Sequence, residues 1–123
     1  MAGTMNPEVK AQWVEALRSG EYEQGRNELQ LNGRFCCLGV LCDLAVKAGV
    51  CTSREVTTDE EVSVHYGTFG SYSSLPEEVI EWAGLDTSNP PVRDTGTVRT
   101  LIDLNDYFKR DFAYIADTIE DQL

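Results

Sequence analysis

Basic charge is scarce in this chain: ten Lys and Arg stand against 21 Asp and Glu, for a net charge of −11. So strong a negative balance opposes broad contact with nucleic acid or anionic membrane, since both need a positive field. Long apolar runs are missing as well. The longest, Phe35 to Leu41, is far shorter than the ~20 residues of a membrane span. Met1 to Met5 carry no basic region and lead into no apolar core, so no signal peptide is expected. There is one histidine, His65. There is also no Gly-rich phosphate loop followed by Lys, no Gly-x-Ser-x-Gly elbow and no dinucleotide fingerprint. The common nucleotide-hydrolysing and serine-hydrolase signatures are thereby excluded.

What is present suits one globular unit. The 123 residues are 41% hydrophobic and 25% charged, ordinary values for a folded domain. Residues 1–123 are read as a single domain, with 1–5 as a flexible N-terminus. The acidic excess is uneven, at −3 over residues 1–60 and −8 over 61–123. The acidic half faces either solvent or a basic partner.

Local signals divide the chain. Asn6-Pro7 opens a helix carrying Val9, Trp13 and Leu17 at helical spacing, and Gly20 stops it. Asn32-Gly33 suits a two-residue hairpin turn, with Arg34-Phe35-Cys36 returning. Residues 37–48 are apolar around most of a helix and predict a buried one, with Gly39 marking close approach of another backbone. Residues 53–66 predict a polar hairpin around Asp59-Glu60. A Gly/Ser/aromatic loop follows from Tyr66 to Ser74. Pro76 starts a helix that Gly84 ends. Residues 85–97 are read as loop. Val98, Leu101, Ile102 and Leu104 give a short helix broken at Asn105-Asp106. Asp106 and Asp111 are read as caps, Asp111 opening a last helix with Phe112, Ile115, Ala116 and Ile119 on one face. The expected class is α+β: a compact domain of about five helices packed on a small, mostly antiparallel sheet. Its expected core holds Trp13, Phe35, Leu38, Leu41, Leu44, Ile115 and Ile119.

Three segments carry a resemblance. They are Gln24-Gly25-Arg26, the block from Arg34 through Cys36-Cys37-Leu38-Gly39-Val40-Leu41-Cys42 to Ala45, and Leu101 to Asp106 leading to Ile115–Glu120. Leu75-Pro76 and Trp82–Leu85 fit the same pattern. Together they resemble a family of small proteins encoded by bacteriophages and prophages. That resemblance implies a protein made in the host bacterial cytoplasm during infection. It hands over no reaction and no catalytic residue.

Candidate chemistry is sparse. With no signal peptide expected, Cys36, Cys37, Cys42 and Cys51 are expected reduced, and since they lack the paired Cys-x2-Cys unit of structural zinc sites they are expected metal-free. Cys37 at a helix N-terminus with His65 as base is the one nucleophile pair the chain offers; the plainer reading makes the thiols small core hydrophobes. The loop holding Tyr66, Phe69 and Tyr72 supplies flat stacking surfaces and adaptable hydrogen bonds. Arg93 and Arg99 are the only basic residues between Arg54 and Lys109, and arginine forks match phosphate. The plainer reading pairs them with Asp94 and Asp103. The sequence therefore suggests a non-enzymatic, phage-encoded accessory protein. It would act in counter-defence by sequestering a small nucleotide-like signal through Tyr66, Phe69, Tyr72, Arg93 and Arg99, with no cofactor. One alternative is an acidic decoy that binds and inhibits a basic host nucleic-acid-binding protein. Another is a cysteine-dependent hydrolase or transferase.

Overall fold

A computed structural model describes residues 5–123. Helix α1 (Pro7–Arg18) starts as the sequence indicates: the Asn6 side chain accepts hydrogen bonds from the amides of Glu8 and Val9, and Pro7 opens the first turn. Strands β1 (Gln30–Leu31) and β2 (Arg34–Phe35) form the short hairpin. Its turn residues have positive φ, 53° at Asn32 and 80° at Gly33, as a two-residue hairpin turn requires. Helix α2 (Cys37–Lys47) follows. Strands β3 (Ser53–Thr58) and β4 (Glu61–Tyr66) make the second hairpin. Next come α3 (Glu77–Ala83), β5 (Pro91–Asp94), β6 (Thr97–Thr100), α4 (Leu101–Asp106) and α5 (Phe112–Gln122). The class is α+β. One antiparallel sheet runs β2-β1-β4-β3, and β5 pairs with β6 in a second, two-stranded one.

Helix α2 is the centre of the packing, as its apolar girth requires. Cys37, Leu38, Val40, Leu41, Cys42 and Ala45 are fully buried. Gly39 lies against the backbone of Leu29: a Cβ there would sit 1.8 Å from the Leu29 carbonyl oxygen. Trp13 of α1 is buried and donates its indole N–H to the Cys37 carbonyl at 2.9 Å. Ile115 and Ile119 of α5 close the same core. Phe35 and Leu44, expected inside, pack on its margin and are half-buried.

The amide of Asn105 joins the three resemblance segments. Its Oδ1 accepts from Gln24 Nε2 at 2.8 Å and from the Cys37 amide at 3.2 Å, and its Nδ2 donates to the Gly25 carbonyl at 2.8 Å. Gln24 also donates to the Arg110 carbonyl. Asn105 therefore does not break α4; it is a buried member of it. Asp106 likewise lies within α4 and caps nothing. The caps are Thr100 on α4 and Asp111 on α5, each accepting an amide hydrogen bond.

Two other expectations change. Residues 85–97 are not all loop: Asp94-Thr95-Gly96-Thr97 is a hairpin turn with positive φ at Thr95 and Gly96, and Val98 is an exposed strand residue. Met5 is buried against the core at 6% exposure, so the N-terminal tail does not extend to it. The rest of that expected tail, residues 1–4, lies outside the described residues. No helix among the described residues is long and apolar enough to cross a membrane.

Candidate functional site

The β3–β4 register sets Arg54 opposite His65 and Ser53 opposite Tyr66. Directly after Tyr66 the chain turns back through Gly67-Thr68-Phe69-Gly70, with φ of 80° at Gly67 and 68° at Gly70. Tyr66 and Ser71 exchange backbone hydrogen bonds across this turn, and the Gly67 amide donates to the Thr52 carbonyl at 2.8 Å. Glu78 of α3 reaches up and accepts from the Thr68 amide at 2.7 Å and from its hydroxyl at 3.1 Å. Amide hydrogen bonds, from its own residue first and then from Thr68, hold the Glu78 carboxyl below its ordinary value. The turn is thus tied at both ends and beneath.

A cleft of about 320 Å³ opens between this turn and the hairpin. Arg54, His65, Thr68, Phe69 and Gly70 border it, and no carboxylate is among its lining residues. Gly70 brings the walls together: a Cβ there would lie 3.6 Å from the Arg54 guanidinium and 3.9 Å from His65 Nδ1. His65 stacks on Tyr72, ring centroids 5.0 Å apart and planes at 26°. Phe69 stands out from the surface at 92% exposure. Such a cleft offers a guanidinium, an imidazole and an unpaired aromatic face at one place. That combination suits a flat ligand bearing an anionic group.

The sequence-named residues divide between separate environments. Phe69 and Tyr72 belong to the cleft region. Tyr66 lies beneath it, buried, its hydroxyl donating to Gln30 Oε1 at 2.7 Å, and burial pushes its phenol well up. Arg93 and Arg99 stand on the other sheet. Arg99 donates to Asp94 at 2.7 Å and lies 3.7 Å above the Phe108 ring. Asp94 is buried and also takes hydrogen bonds from Arg110 and from the Tyr114 hydroxyl. Arg99 is therefore neutralised by the fold, the plainer of its two readings. Arg93 presents its backbone amide and carbonyl to the Gln122 side chain at 2.7 and 2.8 Å. Neither arginine meets the aromatic loop. The cation that does is Arg54, which the sequence reading passed over. Its signal was available: Arg54 and His65 are cross-strand partners in the hairpin that the alternating residues predict.

The Cys37–His65 pair is not assembled. Cys37 is fully buried beside α4 and its thiol donates to the Leu101 carbonyl at 3.7 Å. Burial raises that thiol rather than lowering it, overriding its place at a helix start. Cys42 is raised by the same cause, and Cys36 is pushed up to about 12. All four cysteines are free and buried. Among the described residues no three His, Cys, Asp or Glu side chains are grouped to hold a metal ion.

No curated protein and no solved structure matches this chain. Its residues 5–123 match the family model described as a domain of unknown function, DUF8296, and the chain belongs to that family.

Proposed function

We propose that the protein binds a small nucleotide-like anion in the cleft bordered by Arg54, His65, Thr68 and Phe69. The observation that carries this is one free guanidinium beside exposed aromatic surface in a cleft with no carboxylate among its lining residues, on a chain of net charge −11. Arg54 forms no ion pair with any described residue, whereas Arg99 and Arg110 are held by Asp94. A base stacked on Phe69 gains about 1–3 kcal/mol. A charge-assisted hydrogen bond from Arg54 to phosphate adds about 1.5–3 kcal/mol. With further contacts from His65 and the Ser53 hydroxyl, micromolar binding at about 8 kcal/mol is within reach of a preformed site.

The reading extends to biology through the resemblance to phage proteins. A cytosolic phage protein that holds a nucleotide signal made by the infected host acts in counter-defence by removing that signal. It needs no catalytic group to do so. Burial of every thiol favours this over cysteine-dependent hydrolysis or transfer.

Native mass spectrometry of protein isolated from infected cells tests the reading. An adduct of nucleotide mass is expected on the wild type and absent from Arg54→Ala. Wild-type protein that carries no adduct from any preparation overturns it.

A further inference from the structure

A second cleft with no carboxylate among its lining residues lies at the other end of the four-stranded sheet, in the segment that the resemblance singles out. It has a volume of about 460 Å³ and is lined by Gln24, Gly25, Arg26, Leu31, Asn32 and Arg34. We propose that this cleft binds a small, multiply charged oxyanion, a phosphate or carboxylate group, between Arg26 and Arg34.

Three features of the site support this. First, its floor is fixed. Gln24 is tied to Asn105 and to the Arg110 carbonyl, the Gly25 amide donates to Phe35 at 2.7 Å, and the Gly25 carbonyl accepts from Asn105. Asn32 is held by the Val62 amide, which donates to its Oδ1 at 2.8 Å. The polar groups of the floor are thus largely spent on the fold, which leaves the arginine side chains as the groups a ligand can recruit.

Second, Gly25 seats Arg34. A Cβ at residue 25 would lie 2.7 Å from the Arg34 Cβ and 3.2 Å from its carbonyl carbon. The base of the Arg34 side chain therefore lies directly against bare backbone, and any larger residue would push it away.

Third, the charges are unbalanced. Arg34 meets Glu23 at 3.2 Å in an exposed pair, a weak interaction that an anionic ligand can replace. Arg26 forms no ion pair with any described residue. An oxyanion seated in the cleft would draw on both arginines, each able to reach it with a two-pronged guanidinium. On a chain of net charge −11, such a local reversal of sign sets where an anion settles.

The site is separate from the aromatic cleft, so the two can fail independently. Amide NMR titrations with pyrophosphate and with malonate test it, on wild type, Arg26→Ala, Arg34→Ala, the double variant and Arg54→Ala. Arg26 and Arg34 are exposed, so their removal leaves the core intact. Saturable shifts confined to residues 24–34 are expected with at least one of the two anions. Arg26→Ala should weaken binding by about tenfold, the factor set by ~1.4 kcal/mol. The double variant should lose it, and Arg54→Ala should retain it at full strength. The better-bound anion tells phosphate from carboxylate. Shifts that never saturate, that survive the double substitution, or that centre on Arg54 and His65 overturn the proposal.

Discussion

The side-chain amide of Gln24 donates to that of Asn105 at 2.8 Å, across 81 positions of chain. This contact draws the first resemblance segment onto the last. The same Asn105 oxygen takes the first amide of α2, which adds the cysteine-rich block. Asn105 is fully buried, so each of its partners loses its hydrogen bond if the side chain goes. Asn105→Ala is expected to destabilise the protein by about 2–4 kcal/mol, because buried groups left unsatisfied cost ~1–3 kcal/mol each. Urea unfolding measures this, and a midpoint equal to wild type would contradict it.

Gly39→Ala tests the close approach of α2 to Leu29. In an open helix the change would add about 1 kcal/mol of stability. Here the new methyl meets the Leu29 carbonyl carbon at 2.6 Å and its oxygen at 1.8 Å, and backbone cannot rotate aside as a side chain can. A net loss of about 2 kcal/mol or more is expected. Thermal unfolding of the two proteins decides the sign.

The Asp94 cluster predicts an acid-sensitive contribution. Hydrogen bonds from Tyr114 first, then from Arg99 and Arg110, hold the Asp94 carboxyl below its ordinary value of 3.8, against the opposing effect of burial. A carboxyl lowered by folding stabilises the native state above its unfolded value. That stability disappears as pH falls from 3.8 through the lower folded value. Asp94→Asn should weaken the protein by about 2 kcal/mol at neutral pH, where both arginines lose a charged partner. It should also flatten the pH dependence below pH 4. A variant that loses stability in acid as steeply as wild type would show that Asp94 is not the responsible group.

Thiol chemistry separates core cysteines from a nucleophile. Burial raises Cys36, Cys37, Cys42 and, least of all, Cys51. Labelling of native protein by an alkylating reagent near pH 7 should therefore be slow at every site, with Cys51 first, and fast only after denaturation. Rapid, selective labelling of Cys37 would restore the cysteine-dependent reading.

Much of the fold was legible because its signals are local. Asn32-Gly33 needs positive φ at both positions, and few arrangements other than a tight hairpin supply it. The apolar girth of residues 37–48 can be satisfied only inside a core. The hairpin at 91–100 was missed because its inner face carries a buried carboxylate, Asp94, where alternation normally places an apolar side chain. Asn105 was misread because asparagine ordinarily interrupts helices. Here its side chain bonds across to other segments instead of competing for its own backbone. The candidate site was half legible. Composition marked the aromatic loop, but the choice of cation depended on which unpaired arginine the fold brings to that loop. Nothing in the spacing of Arg93 and Arg99 reveals that Asp94 faces inward to meet Arg99 while Arg93 lies along an exposed edge. Arg54 joins the loop only through strand register.

The most direct test of the central claim is calorimetric titration of wild type, Arg54→Ala, Phe69→Ala and Arg99→Ala with cyclic nucleotides and ADP-ribose derivatives. At least one ligand should bind the wild type with micromolar affinity. Arg54→Ala and Phe69→Ala should each weaken that binding by about tenfold or more, as ~1.4 kcal/mol dictates. Arg99→Ala, which alters a guanidinium already paired with Asp94, should retain it once the fold is confirmed intact. Binding that both cleft variants keep at full strength while Arg99→Ala loses it, or no binding to any ligand, would contradict the account.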